Sequence, residues 1–254
     1  MIQACIFDLD GTLSDTLRSI AYTSNRSLEK EGLLPLPEQN YRYYAGNGAK
    51  ELVRAYLAAT RRAEPGAMGS SGQPSGKSEK LPLNAGALSH DPRNPADFDY
   101  YYESYLREFE RYCMYEVKPY RGIVELLRAL KQKGLKLAVC SNKPDSQAKA
   151  VVEELFGADL FGEVHGQREG VPRKPSPAGP LQIAEAFGVA PENCLYLGDT
   201  NTDMQTGKAA GMFTVGVLWG FRDRKELEEN HADAIVAAPS EVLALLEQLN
   251  EAAH

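Results

Sequence analysis

Cysteine is scarce in this chain, with four in 254 residues, at Cys5, Cys113, Cys140 and Cys194, and no CxxC pair among them. That spacing indicates neither a zinc site nor a disulfide framework, and buried free thiols in a reducing compartment account for it. The four histidines, His90, His165, His231 and His254, are scattered without metal-ligand spacing and offer no strong catalytic candidate. No apolar run approaches the roughly 18 residues of a membrane span, and the first apolar run starts so near Met1 that a signal peptide has no room. Cytoplasmic residence, away from any membrane, is the expectation. Basic charge is not in excess either. The formal net charge is -7, and nowhere do Lys and Arg cluster densely, which argues against a nucleic-acid partner. The chain is expected to be a monomer or homodimer.

Carboxylates at strand ends are what the sequence does supply. Asp8-Leu9-Asp10-Gly11-Thr12-Leu13 follows directly on the apolar run Ala4-Cys5-Ile6-Phe7. Alternation along a strand sends Asp8 and Asp10 in one direction and Leu9 in the other, and Gly11 permits a sharp turn. Acids this close repel unless a cation lies between them or one keeps its proton. A solvated turn leaves that cost unexplained, whereas phosphoryl transfer uses it.

Apolar runs bounded by turns at 4–9, 135–140, 194–197, 213–217 and 234–236, with weaker evidence at 163–165, alternate with helical patterns. This is the pattern of an α/β parallel sheet wrapped by helices. Ile123, Leu126, Leu127 and Leu130 repeat at helical spacing ahead of Gly134, and Val242, Leu245, Leu246 and Leu249 do so behind the cap candidate Ser240. More than a hundred residues separate the first two long strands, far beyond a simple crossover, and they read as mostly helical. Within them, residues 64–97 hold five Gly, five Pro and five Ser among 34, a composition that predicts a mobile loop. The stripe Phe98, Tyr102, Tyr105, Phe109 and Tyr112 predicts an aromatic core for this helical segment.

Three further elements follow the acid pair in chain order. Ser141-Asn142-Lys143 closes the second apolar run, Lys174 sits in the proline-fixed loop Arg173-Lys174-Pro175-Ser176-Pro177, and Gly198-Asp199-Thr200-Asn201-Thr202-Asp203 ends a later strand. Together these resemble the haloacid dehalogenase superfamily of phosphohydrolases, with its DxDGT, Ser/Thr, Lys and GDxxxD motifs. Ala45-Gly46-Asn47-Gly48-Ala49, Ser141-Asn142-Lys143-Pro144 and Lys208-Ala209-Ala210-Gly211 bring the resemblance closest to its phosphoglycolate phosphatase-like branch. The resemblance implies a Rossmann-like core at 1–15 and 119–254 and an α-helical cap inserted at 16–118, tethered by hinges near 14–16 and 117–120. The insert at 64–97 departs from the family pattern.

The chemistry expected is magnesium-dependent hydrolysis of a small phosphate monoester, such as 2-phosphoglycolate. Asp8 would attack phosphorus to give an aspartyl-phosphate, and Asp10 would protonate the leaving oxygen and then deprotonate water. Asp8, Asp199 and the Asp10 carbonyl would hold Mg2+, with Asp203 behind them. Ser141, the Asn142 amide, Lys174 and Thr12 would bind the phosphoryl group of a small phosphorylated metabolite, with Thr12 also orienting the Asp8 loop. In the cap, Arg42, Asn47 and Lys50, around the turn opening a helix at 47–63, are the nearest groups able to hold a substrate carboxylate. Inorganic pyrophosphatase, nucleotidase and phosphosugar mutase activities fit the same core, and so does a non-catalytic phosphate-binding regulator. Asp10 argues against a dehalogenase, whose leaving halide needs no proton. For a phosphonate-cleaving relative, Lys50 is one possible Schiff-base lysine.

Overall fold

The computed structural model describes residues 1–60 and 90–252. Its strands are β1 (Ala4–Phe7), β2 (Ser14–Asp15), β3 (Lys118–Pro119), β4 (Lys136–Pro144), β5 (Glu163–Gln167), β6 (Cys194–Gly198), β7 (Phe213–Val217) and β8 (Ala234–Val236). The helices are α1 (Leu17–Lys30), α2 (Tyr41–Tyr44), α3 (Ala49–Ala59), α4 (Phe98–Tyr112), α5 (Ile123–Gln132), α6 (Asp145–Phe156), α7 (Ala178–Phe187), α8 (Asn201–Ala209), α9 (Arg224–Glu229) and α10 (Pro239–Glu251). Six strands form one parallel sheet in the order β5-β4-β1-β6-β7-β8. The order reverses around β1, so the crevice at the carboxyl ends of β1, β4 and β6 is where such sheets receive ligands.

Alternation along the strands sorts their side chains onto two buried layers. Cys5 and Phe7 of β1, Leu137 and Val139 of β4, and Leu195 and Leu197 of β6 pack against the apolar stripes of α5, α6 and α10. Ala4, Ile6, Ala138, Cys140 and Tyr196 face the other way, against Ile183 and Ala184 of α7 and the end of α8. Burying each Leu or Ile contributes about 1.5–3 kcal/mol, so this double layer fixes the strand ends firmly. Helix α5 buries Ile123, Leu126, Leu127 and Leu130, as its spacing predicts. Helix α10 differs at its start: Pro239 takes the first position behind Ala238, and Ser240 lies inside the helix, because proline's fixed φ suits that first turn.

Helices α1 to α4 gather around a separate cluster that includes Ile20, Leu28, Tyr41, Leu52, Val53, Tyr56, Tyr101, Tyr105 and Phe109. Its aromatic stripe runs through Tyr101, Tyr105 and Phe109, whereas Phe98 and Tyr102 are only partly buried. The expected stripe was thus turned by part of a helical step. Ser104 and Glu108 also lie on the buried face of α4, paired with Glu31 and with Lys30, which lets polar residues share it. The segments entering and leaving this helical part meet as the antiparallel pair β2–β3, Ser14 against Pro119 and Asp15 against Lys118.

Of the span 64–97 expected as a mobile loop, residues 64–89 lie outside the described residues. Its end departs from that reading. Pro95–Asp97 forms a 3-10 turn in which the Asn94 side chain accepts from the Ala96 amide, leading straight into α4. Helix α3 ends at Ala59, short of the expected 63. Among the described residues, no helix is long and apolar enough to cross a membrane.

Candidate active site

Asp8 emerges from the end of β1 and is buried, with its Oδ1 accepting from Lys174 Nζ at 2.7 Å. The same ammonium donates to Asp203 Oδ1 at 2.7 Å. Lys174 belongs to the loop ahead of α7, and Asn142 at the end of β4 holds that loop in place. The Asn142 Oδ1 accepts from the Lys174 amide at 2.9 Å while its Nδ2 donates to the Lys174 carbonyl at 3.2 Å. Asn142 therefore acts on the site through Lys174, in addition to any contact its backbone makes.

Asp199 stands at the end of β6, neighbour to β1, and is fully buried. Its Oδ1 accepts from Thr12 Oγ1 at 2.9 Å and its Oδ2 from the Phe221 amide at 2.7 Å. The Thr12 hydroxyl is thus spent on Asp199, and the residue's contribution to phosphate is indirect. Trp219 Nε1 in turn donates to the Thr12 carbonyl at 2.9 Å and fixes the turn. Gly11 has φ +93° and lies so close to Asp199 that an added Cβ would fall 2.3 Å from Oδ2, so only glycine fits. Asp203 is the third residue of α8 and forms a capping box with Thr200, whose hydroxyl donates to Asp203 Oδ2 at 2.7 Å.

One carboxylate oxygen each from Asp8, Asp199 and Asp203 lie within 4.8 Å of one another. Among the described residues a single ammonium, that of Lys174, is paired with this cluster, and the imbalance shows at Asp8 and Asp199. Burial first, then the charge of Asp203, pushes the Asp8 carboxyl well above its ordinary range, although Lys174 opposes this. Burial and Asp203 push Asp199 up to about 7. Burial alone would depress Lys174, but Asp203 and Asp8 outweigh it and hold the lysine charged. A cluster of hard oxygen donors with more negative charge than its own lysine balances fits a divalent cation such as magnesium. Both oxygens of Asp199 and both of Asp203 already accept hydrogen bonds, so either acid would share its lone pairs between those donors and a cation.

Asp10 precedes the turn at Gly11 and is only partly buried, and Lys143 Nζ donates to both its oxygens at 3.0 Å. Lys143 is almost wholly buried, with its ammonium 5.1 Å from the centre of the Phe109 ring. Its sequence signal was present, since it follows Ser141 and Asn142 at a strand end, but a lone lysine carries no chemistry until a partner is seen. Ser141 lies beside Asn142 and accepts from the Lys143 amide at 3.2 Å. Asp8, Asp10, Ser141, Asn142 and Lys143 line one side of a cleft of about 560 Å³ of empty space, partly open to solvent. Ile20, Leu52, Leu106 and Phe109 from α1, α3 and α4 line the other. Cys140 points away from it, towards Gly179 of α7, and burial pushes its thiol up to about 11, which excludes a thiolate nucleophile at neutral pH.

Arg42, Asn47 and Lys50 are not brought into this cleft. Arg42 donates to the Gly220 and Phe221 carbonyls, at 2.7 and 3.2 Å. Asn47 accepts from Thr202 Oγ1 at 2.7 Å, and Gly48 rather than Asn47 precedes α3 as its cap. Lys50 is exposed, its ammonium 5.5 Å from the centre of the Tyr102 ring. These groups join the helical part to the sheet or cover its surface. Arg222, unremarked in the sequence, does the same by donating to the carbonyls of Tyr43 and Ala45.

The family model for haloacid dehalogenase-like hydrolases matches residues 5–217. A phosphoglycolate phosphatase of Aquifex aeolicus is 29% identical over 97% of this chain and 97% of its own. One from Rhodospirillum rubrum is 32% identical, covering 87% of this chain and 81% of its own. A solved structure from Lactobacillus delbrueckii subsp. bulgaricus, provisionally assigned as a phosphoglycolate phosphatase, superposes with a TM-score of 0.78 at 29% identity, covering 94% of this chain and 96% of its own.

Proposed function

The chain belongs to the haloacid dehalogenase-like hydrolases and is a phosphatase of that family, and from that premise we propose that it hydrolyses a small phosphate monoester, 2-phosphoglycolate foremost, with magnesium and through an aspartyl-phosphate at Asp8. The observation that carries this reading is the environment of Asp8: Lys174 grips Oδ1, while Oδ2 accepts no hydrogen bond from the described residues and is left for the incoming group.

An Asp8 oxygen attacks phosphorus in line with the departing oxygen, and the bond from phosphorus to the leaving alkoxide breaks. Asp10 protonates that alkoxide. It then removes a proton from water, whose oxygen attacks phosphorus and releases phosphate and the free Asp8 carboxylate. Lys174 and Ser141 take up charge on the phosphoryl oxygens. Magnesium, held by Asp8, Asp199 and the Asp10 carbonyl with Asp203 behind, supplies charge neutralisation there. Helices α1 to α4 serve as a cap that excludes water over the cleft, with β2 and β3 as its hinge and the remainder of the chain as the core.

The test is phosphate release from 2-phosphoglycolate, ethyl phosphate, pyrophosphate and a nucleoside monophosphate. The expected result is turnover that stops in excess chelator, returns with magnesium and returns poorly with calcium, whose bonds are longer and geometry looser. Full activity in chelator, or release from none of the four, contradicts the proposal. A strong preference for pyrophosphate or the nucleotide would leave the phosphatase chemistry standing and reject 2-phosphoglycolate.

A further inference from the structure

We propose that Lys143, assisted by Gln147, is the group that selects the substrate, by binding a second anionic oxygen on a small leaving group. The inference rests on the phosphatase reading above and deepens it. The phosphoryl end of a substrate is placed by Asp8, Ser141 and Lys174, and the leaving oxygen must lie against Asp10 to receive its proton. Beyond Asp10, Lys143 is the one cation among the described residues that line the cleft. Lys174 is committed to Asp8 and Asp203 and does not line this space, whereas Lys143 does.

The Lys143 ammonium has three N–H bonds, and Asp10 accepts two of them, at 3.0 Å each. No acceptor among the described residues takes the third. Phe109 lies close to the ammonium, and Leu52 and Ile20 complete an apolar wall nearby, so a charge approaching Lys143 meets little water and interacts strongly. Gln147, in the first turn of α6, lines the same cleft with its Oε1 buried and without a partner. Its amide turns over at no covalent cost, so it can present N–H to an anion as readily as oxygen to a hydroxyl. The two side chains stand four residues apart at the β4–α6 junction, on the sheet side of the cleft. The carboxylate of 2-phosphoglycolate is two bonds from its ester oxygen, so an ester oxygen held at Asp10 puts it within reach of the Lys143 ammonium, 3.0 Å from the Asp10 oxygens. The terminal phosphate of pyrophosphate shares that chemistry.

The test compares kcat/KM for 2-phosphoglycolate, pyrophosphate and ethyl phosphate, whose leaving group is neutral, in the full-length protein with saturating magnesium. For Lys143→Met, the ratio of 2-phosphoglycolate to ethyl phosphate should fall about tenfold or more, chiefly through KM, because one charge-assisted hydrogen bond is lost. Lys143→Arg should keep most of the ratio, and Gln147→Leu should lower it severalfold. Pyrophosphate falling in step with 2-phosphoglycolate supports recognition of any small anion; pyrophosphate behaving like ethyl phosphate supports the carboxylate alone. In the unsubstituted protein, glycolate should inhibit competitively where ethanol does not, a result independent of any variant's folding. Equal losses on 2-phosphoglycolate and ethyl phosphate would overturn the inference, reducing Lys143 to a support for Asp10, as would an absence of inhibition by glycolate. Those outcomes leave the phosphatase reading intact. Failure to hydrolyse 2-phosphoglycolate, pyrophosphate, ethyl phosphate and the nucleoside monophosphate alike removes both.

Discussion

Asp8 and Asp10 are two residues apart, yet they live in different surroundings, and that difference supports the separate roles proposed for them. Asp8 is buried against Lys174 and other acids, while Asp10 is partly exposed to the cleft and paired with Lys143. A nucleophile needs fixed aim; an acid that donates and then accepts a proton needs access to both the leaving group and water. Asp10→Asn should therefore reduce turnover on alkyl phosphates by about a hundred-fold to ten-thousand-fold, and much less on an aryl phosphate whose leaving group needs little protonation. A series of esters of graded leaving-group acidity measures this, and equal losses across the series would reject Asp10 as the acid.

At the scale of elements, the strands and their order of motifs were legible because period-2 alternation and turn residues act locally. The runs at 4–9, 194–197, 213–217 and 234–236 correspond to β1, β6, β7 and β8, and the acids of Asp8 and Asp199 lie where those runs end. What could not be read was which side chains cross from one element to another. Arg42 in α2 has the sequence of an anion donor, but two carbonyls at 220–221, some 180 residues on, claim its guanidinium. Thr12 likewise has its hydroxyl taken by Asp199, and Lys143 acquires a role only because β1 brings Asp10 beside it. Such pairings depend on tertiary placement, which a single sequence does not encode locally.

Arg42 has a further consequence for the proposed metal site, since the Phe221 residue whose carbonyl it holds donates its amide to Asp199. Arg42→Met should weaken apparent magnesium affinity severalfold and act alike on 2-phosphoglycolate and ethyl phosphate. A magnesium titration of activity with both substrates checks this. A rise in KM confined to 2-phosphoglycolate would instead place Arg42 at the substrate carboxylate.

For the molecule as a whole, the buried acids set a link between pH, metal and stability. Asp199 titrates near 7 in the folded chain and near the ordinary carboxylate value of about 4 when unfolded. Between those values the folded protein binds the proton and the unfolded chain does not, so metal-free stability falls as pH rises, by up to about 1.4 kcal/mol per pH unit for one such group. Asp8, shifted in the same direction, adds to the slope. Thermal melts in chelator should show Tm declining from about pH 5 to pH 7, and the stabilisation by magnesium growing over the same interval. A Tm that holds level or rises in chelator through that interval would show that the acids are not burdened by excess charge.

The central claim is that Asp8 takes the phosphoryl group, and trapping the intermediate tests it most directly. The protein would be quenched during turnover of 2-phosphoglycolate, reduced with borohydride, digested and mapped by mass spectrometry, with phosphate release measured in the same sample. An acyl phosphate at Asp8 is reduced to homoserine at position 8, present only when substrate is added and with Asp10 unchanged. Phosphate release accompanied by an unreduced Asp8, or by reduction at Asp10 instead, would contradict the account.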